Sequence, residues 1–227
     1  MKDNSLRILL ICIVILGIFL GAYEGIWKQG AKKVINSNIN MKEKEKEVYL
    51  EVIWDASGSM WGREVGVEKI IRSKELLKTF TGELPENINL GLRIFGARKV
   101  GDLKDSFLAI PFNENDEEII LNFITNVKPL GKSPIAYSLK KAAEDLDKIS
   151  SKKCILLVSD GLDNGQIPSE SVISELEQKN IVLHIVHIGD INDNNLKLSL
   201  KNMAEKTGGS YFTYNEHQKI ISTLKQF

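Results

Sequence analysis

The sequence predicts an α/β fold: a doubly wound, mostly parallel sheet with helices on both faces. Three observations predict it. From residue 48 onward, short apolar runs alternate with segments whose apolar residues recur at helical spacing. Residues 154–158 (Cys-Ile-Leu-Leu-Val) form an uninterrupted apolar run, as expected of a strand covered on both faces. Two of the apolar runs stop at an Asp, with a Gly soon after, which suits a chain leaving the edge of such a sheet.

The elements follow in order. Residues 48–54 read as a strand. Residues 67–80 read as a helix, with Ile70, Ile71, Lys74, Leu77 and Phe80 at helical spacing. Residues 90–95 form a strand and 106–112 a short edge strand. Residues 116–127 are helical, with Asn113 or Asn115 placed to cap them. A helix over 135–149 leads to the strand at 154–158. Then come a helix over 169–179, a strand over 181–188, a helix over 196–206, a short strand over 210–213 and a last helix over 216–224. This alternation is Rossmann-like, and ligands of such sheets bind beyond the C-terminal ends of the central strands.

The 227 residues suit one such domain, over 48–227, plus an appendage. Lys plus Arg equals Asp plus Glu at 30 each, so no global charge points to nucleic acid, and binding specificity must be local. Cys12 and Cys154 lie in very different segments and do not predict a disulfide. Residues 8–23 carry no charge, and Lys2 and Arg7 precede them. With its flanks, residues 1–27 are long enough to span a ~30 Å hydrocarbon core as one helix. A retained single-pass membrane anchor is expected in preference to a cleaved signal peptide, because Leu20 stands where a small residue is wanted before Ala22. Lys2 and Arg7 before the run and Lys28, Lys32 and Lys33 after it leave the positive-inside count undecided; the short basic flank resembles an export signal, from which a domain outside the cytoplasm is expected. Residues 28–47 are polar and end in Lys-Glu alternation, a tether whose ends would lie roughly 25 Å apart as a flexible coil.

Three segments place oxygen ligands at strand or helix boundaries. In Asp55-Ala56-Ser57-Gly58-Ser59, a strand ends in a carboxylate and two hydroxyls follow at alternate positions, with Gly58 expected to allow the tight turn. In Ser159-Asp160-Gly161, a buried strand again ends in Asp. Between them Lys132-Ser133-Pro134-Ile135 opens a helix, with Pro134 expected at its first position and Ser133 as its cap. Hard oxygens without His or Cys favour Mg²⁺, Mn²⁺ or Ca²⁺ over Zn²⁺. Two carboxylates and three neutral hydroxyls only just neutralise a divalent ion, which leaves it able to accept a carboxylate from another molecule. No His, Lys or third acid in these motifs is an obvious general base, so the pattern predicts binding and not catalysis.

These three segments resemble the metal-ion-dependent adhesion site of von Willebrand factor A domains. The resemblance covers residues 48–227 and is strongest, through Ser57-Gly58-Ser59-Met60-Trp61-Gly62, to bacterial envelope members. It implies that Asp55, Ser57 and Ser59 hold the ion from the first loop, Ser133 from the second and Asp160 from the third, and that a protein partner supplies a carboxylate. The family usually has Thr where Ser133 stands; the hydroxyl is kept and a methyl that would steady the loop is lost. Trp61 is placed either to line the rim or to pack over the first helix.

Other motifs carry less. Gly131-Lys132-Ser133 resembles the end of a phosphate-binding loop, but Asn126 stands where that loop needs Gly. Asp190, Asn192 and Asn194 mimic a calcium loop, but Asn195 and Lys201 break it. His184 and His187 lie three apart on a strand and face opposite sides. The alternative function is a Mg²⁺-dependent phosphatase-like hydrolase with Asp55 as nucleophile; such enzymes need a second Asp where this chain has Ser57.

Overall fold

Burial on two faces decides the architecture. A computed structural model describes residue 32 and residues 47–112, 116–189 and 193–226. The expected membrane anchor, most of the tether, Asn113, Asn115, Asp190 and Asn192 lie outside the described residues. Among the described residues no helix is long and apolar enough to cross a membrane.

Six strands form the main sheet: β1 (Val48–Asp55), β4 (Ile88–Phe95), β5 (Ser106–Ile110), β6 (Lys152–Ser159), β7 (Ile181–His187) and β8 (Tyr211–Thr213), in the order β5-β4-β1-β6-β7-β8. All neighbours pair in parallel except β4 and β5, so the edge strand expected after residue 105 runs antiparallel. Alternate residues of each strand serve opposite cores. Leu50, Val52, Trp54, Leu156 and Val158 meet helices α1 (Lys69–Glu83), α2 (Glu117–Asn126) and α6 (His217–Lys225). Ile53, Ile155 and Leu157 meet α3 (Ile135–Asp145), α4 (Ser169–Gln178) and α5 (Asn194–Lys206). This is the doubly wound sheet the alternation predicts.

Several local expectations are corrected. Residues 67–68 are not helical: β2 (Arg63–Glu64) and β3 (Val67–Glu68) form a hairpin over Val65 and Gly66, both at positive φ (47° and 79°). That is mirror-turn geometry, and Val in place of the usual Asn or Asp hides it from sequence. The helix that follows buries Ser73 and Leu76 with Ile70, Leu77 and Phe80, and leaves Ile71 exposed. Ser73 belongs inside because its hydroxyl accepts from Trp54 Nε1 at 3.0 Å and donates to the Ile70 carbonyl. Asp116 caps α2, accepting from the Glu118 and Ile119 amides. Helix α3 stops at Asp145, short of the predicted residue 149.

Candidate metal site

The three loops meet where β1 and β6 lie side by side. Helix α1 leads from β1 to β4 over one face and α3 leads into β6 over the other, so the strand ends open at a switch point. Asp55 ends β1, and Asp160 follows the last residue of β6.

Asp55 is completely buried. Its Oδ1 accepts from the Ser57 amide at 2.8 Å and its Oδ2 from the Ser159 hydroxyl at 2.6 Å. Burial first, and the neighbouring Asp160 carboxylate second, push its carboxyl up from 3.8 to about 6. Two carboxylates crowded into a buried seat oppose one another, and a cation between them would remove that cost. Ser57 Oγ lies 3.0 Å from Ser59 Oγ. The 3₁₀ turn Gly58–Trp61 brings these hydroxyls round. Gly58 is not what the turn requires: a Cβ there would meet nothing closer than 3.7 Å, and its φ is not positive.

The glycine the site does require is Gly96, after β4. Its φ is +68°, and a Cβ would stand 2.6 Å from the Lys132 carbonyl and 2.8 Å from Ser57 Cα. Its own carbonyl accepts from the Leu130 and Gly131 amides at 3.1 and 2.7 Å. Gly131 in turn bridges to Ser57, and its carbonyl accepts from the Gly58 amide at 2.9 Å. The second loop is thereby sewn to the first through bare backbone.

Ser133 does not cap α3. The helix begins at Ile135 with Pro134 at the cap position, and Asp163 takes over capping from the third loop. The Asp163 carboxylate accepts from the Ile135 and Ala136 amides at 3.1 and 3.2 Å, where a helix N-terminus favours negative charge. Asn164 grips Ser133 itself, its amide donating to the Ser133 carbonyl at 2.8 Å and its Oδ1 accepting from the Ser133 amide at 3.3 Å. These ties steady a loop that lacks the family's threonine methyl. They also release the Ser133 hydroxyl, which is buried and finds no partner among the described residues. A buried hydroxyl without a partner is costly unless something else bonds to it.

Asp160 is nearly fully buried. Its Oδ1 accepts from the Leu162 amide at 3.4 Å, and its Oδ2 accepts from Lys69 Nζ at 2.9 Å. The five predicted residues therefore sit at the end of β1 and on three loops joined to one another. Hydrogen bonds link Asp55 with Ser57, and Ser57 with Ser59; Asp55 and Asp160 interact through their charges. Ser133 is attached through its backbone neighbours. The donor set fits a hard divalent ion: two carboxylates, two hydroxyls bonded to each other and one hydroxyl without a partner among the described residues. Among the described residues no three His, Cys, Asp or Glu gather to offer a softer or more acidic alternative. Asp55 makes a poor nucleophile, being buried with a hydrogen bond on each oxygen.

Sequence reading missed Ser159, Gly96, Lys69 and the clasp of Asp163 and Asn164. Ser159 stands inside the Ser-Asp-Gly phrase at the end of β6. His184 and His187 are both buried on opposite faces, as their spacing predicts; His187 Nδ1 pairs with the Tyr211 hydroxyl at 2.9 Å. Trp61 reaches the rim: its Nε1 donates to the Pro129 carbonyl at 3.0 Å and the residue is 49% exposed. A cavity of about 330 Å³ between α1 and the C-terminal segment, lined by Arg72, Glu75 and Tyr214, contains none of the five residues.

Comparison with known proteins agrees with this architecture. The protein YwmC of Bacillus subtilis (strain 168) is 30% identical over 184 residues, which cover 75% of this chain and 80% of YwmC. An aerotolerance-related membrane protein of Bacteroides fragilis superposes with a TM-score of 0.62 at 16% identity, over 79% of this chain and 97% of that one. The manganese-loaded TRAP protein of Plasmodium vivax superposes with a TM-score of 0.60 at 18% identity, over 80% of this chain and 73% of that one. The family model of the von Willebrand factor type A domain matches residues 51–213, from within β1 to the end of β8, and so takes in all three loops. The chain belongs to the von Willebrand factor type A domain family.

Proposed function

We propose that Asp55, Ser57, Ser59, Ser133 and Asp160 hold one divalent cation, Mg²⁺, Mn²⁺ or Ca²⁺, and that the loaded site grips a carboxylate of a protein partner. The observation that carries this reading is the Ser133 hydroxyl, buried without a partner among the described residues and held by Asp163 and Asn164 on a loop joined to the one bearing Ser57. When bound, the ion would supply an electrophilic position for an incoming carboxylate. The manganese carried by the Plasmodium relative supports a divalent ion in this fold. The residues' own part is to orient: Ser159 and the Ser57 amide fix the Asp55 carboxylate, and the Leu162 amide fixes that of Asp160.

A protein is the favoured partner because the same loops expose apolar side chains. Trp61, Val65, Val100, Leu130 and Leu162 are all exposed, and each belongs to a loop at the C-terminal edge of the sheet or to the adjoining hairpin. Apolar groups around a polar centre are the composition of a protein-binding surface. In this reading residues 1–27 anchor the chain in the cell membrane, residues 28–47 hold the domain off its surface, and the domain faces outward.

The test is calorimetric titration of MgCl₂ and MnCl₂ into the full chain, followed by pull-down from envelope extract with Mg²⁺ or EDTA. Wild type is expected to bind metal and to retain a partner only with Mg²⁺, and Asp160→Ala to do neither. Partner capture that persists in EDTA sinks the reading.

A further inference from the structure

Among the described residues, Lys69 is the cation that pairs with one of the five, and the sequence motifs do not include it. Its ammonium donates to Asp160 Oδ2 at 2.9 Å, with 18% of the lysine side chain and 1% of the aspartate side chain exposed. Its stem runs along the first loop. A Cβ on Gly62 would lie 3.5 Å from Lys69 Cε and 3.7 Å from Nζ, and 2.9 Å from the Ser59 carbonyl. The ammonium thus stands between the loop that carries Ser57 and Ser59 and the carboxylate of the third loop.

The position does not serve the helix. Lys69 is the first residue of α1, and no acidic side chain occupies that first turn. A cation at a helix N-terminus is disfavoured by the helix dipole. The compensation is Asp160, whose carboxylate, crowded by Asp55, gains a counter-charge. A lysine also suits a reversible contact: it is a compact, strongly hydrated charge on a flexible stem, able to swing to water where a forked, bidentate arginine would hold on.

We infer that Lys69 is a resident cation of this site, neutralising Asp160 until a divalent ion displaces it, and so setting how tightly and how selectively the site takes metal. This rests on the metal reading above. Metal and ammonium compete for one carboxylate, so each weakens the hold of the other. Displacement also changes the sign of the site. Two ionised carboxylates with one ammonium carry a net negative charge; adding a divalent ion, with the ammonium still tethered at the rim, makes it net positive. An acidic partner is repelled by the first state and attracted by the second.

The experiment compares the full chain with Lys69→Met, which keeps most of the stem and removes the charge. Calorimetric titration with MgCl₂ is expected to show up to about fivefold tighter binding in Lys69→Met, the order of a partly exposed ion pair no longer to be broken. In EDTA the variant is expected to melt below wild type, and to gain more from Mg²⁺. A second measurement needs no variant: Lys69 in wild type is labelled with an amine-reactive ester and read by mass spectrometry, with Lys206 as internal reference. Mg²⁺ is expected to raise Lys69 labelling several-fold as the ammonium is released. Unchanged or weaker Mg²⁺ affinity in a folded Lys69→Met overturns the inference, as does labelling that Mg²⁺ leaves unchanged or lowers. If wild type binds Mg²⁺ and the variant binds no tighter, only this inference falls. If neither binds Mg²⁺, the metal reading falls and takes the inference with it. Should Lys69→Met fail to fold, the labelling of wild type decides.

Discussion

The Ser159 hydroxyl donates to Asp55 Oδ2 at 2.6 Å and also accepts from the Gly161 amide at 2.9 Å. One side chain therefore joins the end of β6 to the end of β1 and, at the same time, shapes the loop that holds Asp160. Ser159→Ala would leave a buried carboxylate oxygen and a backbone amide short of a partner. A loss of about 2 kcal/mol is expected, because the bond lost is to a charged group. Urea unfolding of wild type and variant checks it. Mg²⁺ titration is expected to show weaker binding in the variant, since Asp55 is no longer held. A variant as stable as wild type refutes the role.

Asp163 reaches from the third loop to cap α3, and through that contact sets the position of Ser133. Asp163→Ala is expected to cost about 1 kcal/mol, the usual value of a lost helix cap. It is also expected to weaken Mg²⁺ binding, although Asp163 is not among the five ligands. Asp163→Asn keeps an oxygen acceptor and is expected to recover most of both effects. If Asp163→Ala loses stability but binds Mg²⁺ as wild type does, the clasp supports the helix alone.

Glu51 sits on β1, fully buried, and accepts from Arg93 Nε at 2.7 Å; Arg93 also pairs with Asp145. Burial pushes the Glu51 carboxyl up from 4.5 to about 7, with Arg93 opposing and Asp145 reinforcing. The folded protein thus holds this proton more tightly than the unfolded chain does. Its contribution to stability is present below the unfolded value, 4.5, and is lost as pH rises through about 7. The loss is on the order of 3 kcal/mol. Glu51→Gln keeps an acceptor for Arg93 and removes the titration, so its stability is expected to fall less between about pH 5 and about pH 8. Parallel pH profiles for wild type and variant in urea unfolding would count against this account.

Much of this protein is determined by its sequence alone, wherever the deciding forces are local. The apolar period of β6, the helical spacing around Leu77 and Phe80, and the strand that stops at Asp55 are all properties of neighbouring residues. Asp55, Ser57, Ser59 and Asp160 stand in two short phrases at strand ends, so their gathering follows from the fold class. Even local reading failed where an unusual residue took a familiar place, as Val65 does at positive φ in the hairpin turn. The tertiary structure alone decided the rest. Lys69 meets Asp160 across 91 positions and Ser159 meets Asp55 across 104. Such pairs exist only once β1 lies between β4 and β6, an order chosen by burying both faces of the sheet under helices. The same packing brings Asp163 onto α3, which moves the cap away from Ser133 and leaves that hydroxyl buried without a partner among the described residues.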